Sequence, residues 1–168
     1  MVELLIMRHA KSDWGSPSLA DFDRPLSRRG ERAADTMTVW LDSHDLEPDR
    51  VVSSAALRAR TTAECVVTHF AIDAASFEIR EDLYLGSATT WFDAVREQTE
   101  PRVLICGHNP GFDDLVKYLS ADSATRTADG KLMTTAAIAH FSFDCTWPDI
   151  VPDESSLVSL TRPAELDS

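Results

Sequence analysis

Cysteine is scarce in this chain and badly placed for cross-linking: there are three, Cys65, Cys106 and Cys145, and no C-x-x-C pair. That excludes a disulfide framework and a cysteine-rich metal site, and reduced, mostly buried thiols are expected. Long apolar runs are missing too. No stretch approaches the ~18 residues needed to cross a bilayer, and no basic segment precedes a long apolar one at the N-terminus, so neither a membrane span nor a secretory leader is expected and the cytoplasm is the default compartment. Positive charge is in the minority, with 16 basic against 28 acidic residues and a net charge of −12. Nucleic acid and anionic membranes are therefore repelled at long range, and any anionic ligand has to be held by individually placed cations. Internal repeats and low-complexity segments are also lacking. The 168 residues, 43% of them hydrophobic, make one domain with its own core.

What is present alternates. Residues 2–7 read as a buried strand, followed by a loop of small and acidic residues from Ala10 to about Pro25. Ser27 suits an N-cap, with Ala33, Ala34, Met37, Val39, Trp40 and Leu41 giving a helix its apolar face as far as His44. Val51 and Val52 form a short strand closed by Ser53-Ser54, and a helical pattern runs from Ala56 to Phe70. A strand edge at Phe77–Ile79, a helix over Ala88–Glu97 and a strand over Arg102–Cys106 follow. Another helix begins just after Asn109-Pro110, since proline suits a first helical turn. A polar loop then spans Ser120–Lys131, and Thr134–Phe143 and Leu157–Leu160 are the final strands. The order predicts a three-layer α/β/α domain over residues 1–168, with a mostly parallel central sheet and an antiparallel edge strand.

In such a sheet the carboxyl ends of the parallel strands share one rim, and chemistry collects there. Three segments bring cations or imidazoles to it: Arg8-His9, the stretch from Ser53 to Thr62 containing Arg58 and Arg60, and Gly107-His108. The two histidines can face one another across a single pocket. A helix starting near Ala56 would add its positive end, making a pocket for a phosphoryl dianion inside an acidic protein. Neutral imidazole, with a reference pKa of ~6.5, is a good nitrogen nucleophile when its other nitrogen donates to a fixed acceptor. Guanidinium groups offer paired, rigid donors to phosphoryl oxygens. Arg60, two positions beyond Arg58, points elsewhere and reads as a surface ion pair. His44, His69 and His140 lack motif and metal-ligand spacing and read as structural or exposed.

These residues carry a resemblance. Met7-Arg8-His9-Ala10-Lys11-Ser12, Arg24-Pro25-Leu26-Ser27-x-x-Gly30, Ser53-Ser54 with Leu57-Arg58-Ala59-x-x-Thr62-Ala63, and Gly107-His108-Asn109-Pro110 resemble the histidine phosphatase superfamily and its short, SixA-like phosphohistidine phosphatase branch, from residue 4 to about 140. The resemblance implies a phosphoglycerate mutase-like fold and a phosphatase working through a phosphohistidine intermediate, with His9 as nucleophile, Arg8 and Arg58 clamping the phosphoryl oxygens and His108 completing the pocket. It requires no metal or other cofactor. Arg24 either folds over the phosphate or pairs with Asp21 or Asp23. Lys11 and Ser12 contact substrate or shape the loop, and Thr134 and Thr135 resemble a family position near the pocket, although strand propensity also explains them.

The proton donor for the leaving group is open. Glu81 and Asp82 lie in the approximate region where the superfamily keeps an acid, and Asp13 and Asp21 belong to the first loop. An imidazole leaving group can be protonated from solvent, whereas an alkoxide gains ~10²–10⁴ from a positioned acid, so the lack of an obvious acid favours phosphohistidine. A phosphohistidine-bearing protein is the leading substrate and a small phosphorylated metabolite the alternative. A non-catalytic phosphate- or phosphoprotein-binding module is a second alternative, which a nucleophilic imidazole beside two arginines argues against. A phosphoglycerate mutase would need segments for which this length leaves little room. A monomer is the simplest assembly.

Overall fold

A computed structural model of the chain describes residues 1–152 and 156–167. Six strands form one sheet: β1 (Val2–Arg8), β2 (Arg50–Ser54), β3 (Phe77–Arg80), β4 (Arg102–Gly107), β5 (Ile138–Phe143) and β6 (Ser156–Thr161), in the order β3-β2-β4-β1-β5-β6. The first four are mutually parallel, and β5 runs antiparallel to both β1 and β6. The antiparallel edge thus comprises two strands. The helices are α1 (Arg28–Ser43), α2 (Leu57–His69), α3 (Ala88–Arg96), α4 (Gly111–Ser120) and a single turn, α5 (Pro163–Leu166).

Strand side chains alternate between faces, and this chain places apolar residues on both. Leu4 and Ile6 of β1 with Val103 and Ile105 of β4 pack against Trp91 of α3 and Phe112, Leu115 and Val116 of α4. Leu5, Met7, Leu104 and Cys106 face the other way, onto Met37 and Leu41 of α1 and Ala63 and Val66 of α2. The three-layer expectation is met, and both faces of the central strands are dry, which fixes their register and hence the relative height of their carboxyl ends. Among the described residues no helix is long and apolar enough to cross a membrane.

Two boundaries differ from expectation in ways that matter for the rim. The final strands do not begin at Thr134: Ala136 adopts φ +63°, and its N–H reaches the carbonyls of both Arg8 and His9 at 3.1 Å. The demand of those two carbonyls at the end of β1 overrides the β preference of Thr134 and Thr135, turning residues 134–137 into a clasp and delaying β5 to Ile138. Pro110 stands one residue ahead of the first helical residue, Gly111, and His108 supplies the carbonyl that accepts from Phe112 N–H at 2.9 Å.

The capping of α1 went as its sequence predicts. Ser27 Oγ accepts from Gly30 N–H at 3.0 Å and donates to the Lys11 carbonyl at 3.1 Å, welding the helix start to the loop after β1. Gly30 lies so close that a Cβ there would sit 2.1 Å from the Lys11 carbonyl oxygen. Gly30→Ala should therefore cost ~2–3 kcal/mol, because backbone rather than a flexible side chain has to move. A urea midpoint within error of wild type would show that the loop yields freely.

Candidate active site

His9 follows β1, and its N–H donates to the Gly107 carbonyl at the end of β4 at 3.0 Å. Its Nδ1 lies 2.7 Å from the Ala10 carbonyl. A carbonyl only accepts, so Nδ1 carries the proton and the lone pair is on Nε2, which has no partner among the described residues and is not sealed from solvent. The acceptor is fixed in turn: Ala10 N–H donates to Thr62 Oγ1 at 3.0 Å, and the Thr62 hydroxyl donates to the Arg58 carbonyl at 2.7 Å. One threonine on α2 thus ties the His9 loop to the helix turn bearing Arg58.

Around His9 the structure assembles the groups named from sequence. His108 enters from β4 with its ring centroid 5.2 Å from that of His9, and its Nε2 is hydrogen-bonded to Ser54 Oγ at 2.7 Å. Arg8 Nη1 donates to the Met133 carbonyl at 2.9 Å, an oxygen that Asn109 Nδ2 also reaches at 3.0 Å. Arg58 Nη1 donates to the Asp21 carbonyl at 2.7 Å, and its Nη2 lies 3.0 Å from the Asp21 carboxylate. Arg8 Nε, Arg58 Nε and His108 Nδ1 are buried with no partner among the described residues. Unpaired polar nitrogens are expensive in a dry site, and an oxyanion bound among them would satisfy the guanidinium donors.

Asp21, named from sequence as a loop acid and a possible partner of Arg24, also reaches Arg58, a contact the sequence did not signal. It accepts from Arg24 Nη2 at 2.6 Å, from Arg58 and from the Tyr84 hydroxyl. The Tyr84 hydrogen bond first, then the two arginines, hold its pKa at about 2. Arg24 thereby makes the Asp21 pairing of its two readings, with its guanidinium carbon 3.4 Å from the ring centroid of Trp14, while its Nε and Nη1 are buried with no partner among the described residues. Tyr84, which no motif singled out, meets the His108 ring edge-on at 5.6 Å.

The other candidates fall outside this cluster. Asp82 is gripped by Arg80 through two hydrogen bonds, at 3.0 and 2.7 Å, which hold its carboxyl below the usual range. A general acid needs the opposite shift, so Asp82 is poorly placed for that role. Glu81 is exposed beside it in the turn Glu81–Leu83. Ser12 is buried and bridges to Leu26. Lys11, Thr134 and Thr135 line a neighbouring cleft. Arg60 pairs with Glu64 at 3.5 Å, His69 with Asp42, His140 with Glu3, and His44 with the Trp40 carbonyl, as read from sequence.

Burial, then the proximity of His108, Arg8 and Arg58, pushes the His9 pKa down to about 3 against the pull of its Ala10 hydrogen bond. Burial and Arg58 bring His108 to about 4. Both rings are neutral at pH 7 and stay so well below 6.5. In the free protein, turnover that depends on neutral His9 should hold from pH 7 to 5 once substrate ionisation is corrected for; a loss centred near 6.5 would show an ordinary imidazole. Stability moves the opposite way. The unfolded chain binds these protons near pH 6.5 and the folded one resists them to about 4 and 3, so acidification through that window favours unfolding and the urea midpoint should fall.

This arrangement belongs to a known family. Residues 4–103 match the family model of the histidine phosphatase superfamily (branch 1), and the chain is a member of that superfamily. Over 163 residues it is 32% identical to Rv1276c of Mycobacterium tuberculosis, covering 94% of this chain and 99% of that protein. Over 147 residues it is 29% identical to the phosphohistidine phosphatase SixA of Escherichia coli, covering 85% and 86% respectively. The solved structure of the protein histidine phosphatase SixA complexed with tungstate superposes with a TM-score of 0.80 at 25% identity, covering 98% of this chain and 99% of that one. The fold is the SixA-like, phosphoglycerate mutase-like one, and the chain is a phosphatase of this superfamily.

Proposed function

We propose that the protein is a phosphohistidine phosphatase that passes the phosphoryl group through His9. The observation that carries this is the fixed His9 tautomer, which leaves Nε2 open beside Arg8 and Arg58. Nε2 attacks phosphorus while the P–N bond to the substrate imidazole breaks, and the departing nitrogen takes a proton from solvent. The Ala10 carbonyl steadies the positive charge appearing on the His9 ring, as the two guanidinium groups neutralise the equatorial oxygens. Water then attacks the phosphoenzyme, the P–Nε2 bond breaks, and orthophosphate leaves with His9 restored.

Two features support an imidazole leaving group. The carboxylate held on Arg58, Asp21, is ionised and occupied by arginines, and Asp82 is tied to Arg80, so neither is ready to protonate an alkoxide. The loop bordering the site also leaves Trp14 74% exposed, consistent with a rim that admits a protein surface. Similarity to SixA of E. coli points the same way.

The test is turnover of a phosphohistidine peptide against a panel of small phosphoesters. At least a tenfold advantage in kcat/KM for the peptide is expected, and a preference for any ester by that margin would move the assignment to a small-molecule phosphatase, with Asp21 released by substrate as its acid. Because guanidinium groups supply the charge neutralisation, EDTA should leave the rate unchanged. A loss restored by added metal would contradict this chemistry.

A further inference from the structure

Most cations of this acidic chain hold a carboxylate: Arg50 has Glu78, Arg80 has Asp82, Arg102 has Glu3, and the pattern continues through Lys117, Arg126, Lys131 and Arg162. Of the exceptions, Arg8 lies in the site on the Met133 carbonyl and Arg96 holds the Pro148 carbonyl, while the other four stand on the loop after β1 and the first turns of α1. Lys11, Arg28, Arg29 and Arg32 are exposed and form no ion pair among the described residues, although the chain has 28 acidic side chains available. Lys11 and Arg29 face one cleft of about 310 Å³, together with Lys131, Arg162, Thr134 and Thr135. Arg29 and Arg32 line an adjoining cleft of about 290 Å³ that extends to Thr36 of α1, with Asp167 as its acidic member. The carboxylate lining the first cleft, Glu165, is already engaged by Arg162, and Lys131 of that cleft is held by Asp129.

The trough neighbours the candidate active site along the chain. Lys11 is two residues past His9, its carbonyl pinned by the Ser27 N–H at 2.9 Å, and Thr134 follows Met133, whose carbonyl holds Arg8. It then runs along one face of α1, where Arg29, Arg32 and Thr36 stand at helical spacing. From Arg29 to Thr36 the helix rises ~10 Å, the length of about three extended residues, so the trough suits a strand of polypeptide better than a lone anion.

We propose that this trough docks an acidic segment of the phosphorylated partner protein, the segment flanking the phosphorylated residue; the proposal rests on the phosphatase reading above. Carboxylates on the segment replace the pairing that Lys11, Arg29 and Arg32 lack within their own chain, and they steer an acidic substrate to an otherwise repelling surface.

The experiment uses the full chain and the double charge reversal Arg29→Glu/Arg32→Glu, with circular dichroism as the check on folding. Turnover is measured on phosphoramidate, on a phosphohistidine peptide with a glutamate-rich flank, and on the same peptide with glutamine in place of glutamate. Wild type should favour the acidic peptide through KM, by roughly tenfold for two or three rim charges, and lose the preference in 0.5 M salt. The double variant should lose it at any salt while turning over phosphoramidate within about twofold of wild type. Equal KM for the two peptides on wild type, with phosphoramidate turnover intact, overturns the docking face and leaves the phosphatase reading standing. A preference that survives the charge reversal also overturns it. Failure of wild type on every phosphorylated probe removes the phosphatase reading instead. In that case fluorescence anisotropy with the unphosphorylated peptides decides the face: acidic-selective binding abolished by the double variant supports it, and no selectivity overturns it.

Discussion

His9→Ala should reduce turnover by ~10⁴-fold or more and abolish the acid-labile phosphate that accumulates on wild type when a labelled substrate is quenched early. The magnitude follows from the role: removing a nucleophile deletes the pathway, and what remains is the weak catalysis of a charged pocket acting on water. Folding should survive. The His9 ring donates one hydrogen bond, to Ala10, while its backbone N–H keeps the link to Gly107, so β1 and β4 remain joined. The stability slope with pH should flatten as well, because one imidazole held neutral in the folded state, with a pKa of about 3, has gone. Full activity in His9→Ala, or label that never becomes acid-labile, would transfer the pocket from catalysis to phosphate binding.

The parts of this site legible in the sequence are those set by periodicity and local motif. Val2–Met7 and Val103–Cys106 are short apolar runs that end on Arg8-His9 and Gly107-His108, and neighbouring parallel strands must end on the same rim. Ser27 as N-cap and Arg58 in the first turn of α2 are equally local. What stayed hidden depends on contacts far apart in the chain. Asp21 reaches its place through a 3-10 turn inside a loop with no apolar pattern, and its partner Tyr84 lies 63 residues away. The Met133 carbonyl is a backbone group, invisible to residue-type reasoning. Thr134 and Thr135 mislead because strand propensity carries no record of the Arg8 and His9 carbonyls that claim the turn. The pairing of Asp82 was equally hidden: Arg80, two residues before it, captures a carboxylate whose position along the chain suits an acid.

Arg58→Ala should lower kcat/KM by ~10³-fold, the scale for deleting a guanidinium that neutralises a transferring phosphoryl group. Arg58→Lys should recover only part of that, since a point charge on a flexible stem cannot reproduce paired donors. Asp21 adds a contrast of opposite sign. Its carboxylate sits on Arg58 Nη2, next to the unpaired Nε that is left for a phosphoryl oxygen, while its backbone carbonyl separately fixes Nη1. Asp21→Asn keeps the carbonyl and removes the competing charge, so inorganic phosphate should inhibit the variant about threefold to tenfold more tightly, a modest gain because the Asp21 side chain is 46% exposed. Phosphoester turnover should not gain in proportion, as asparagine cannot hand over a proton. Weaker phosphate inhibition in Asp21→Asn would mean that the carboxylate orients Arg58 for the anion instead of competing with it, and the clamp would then consist of Arg58 and Asp21 together.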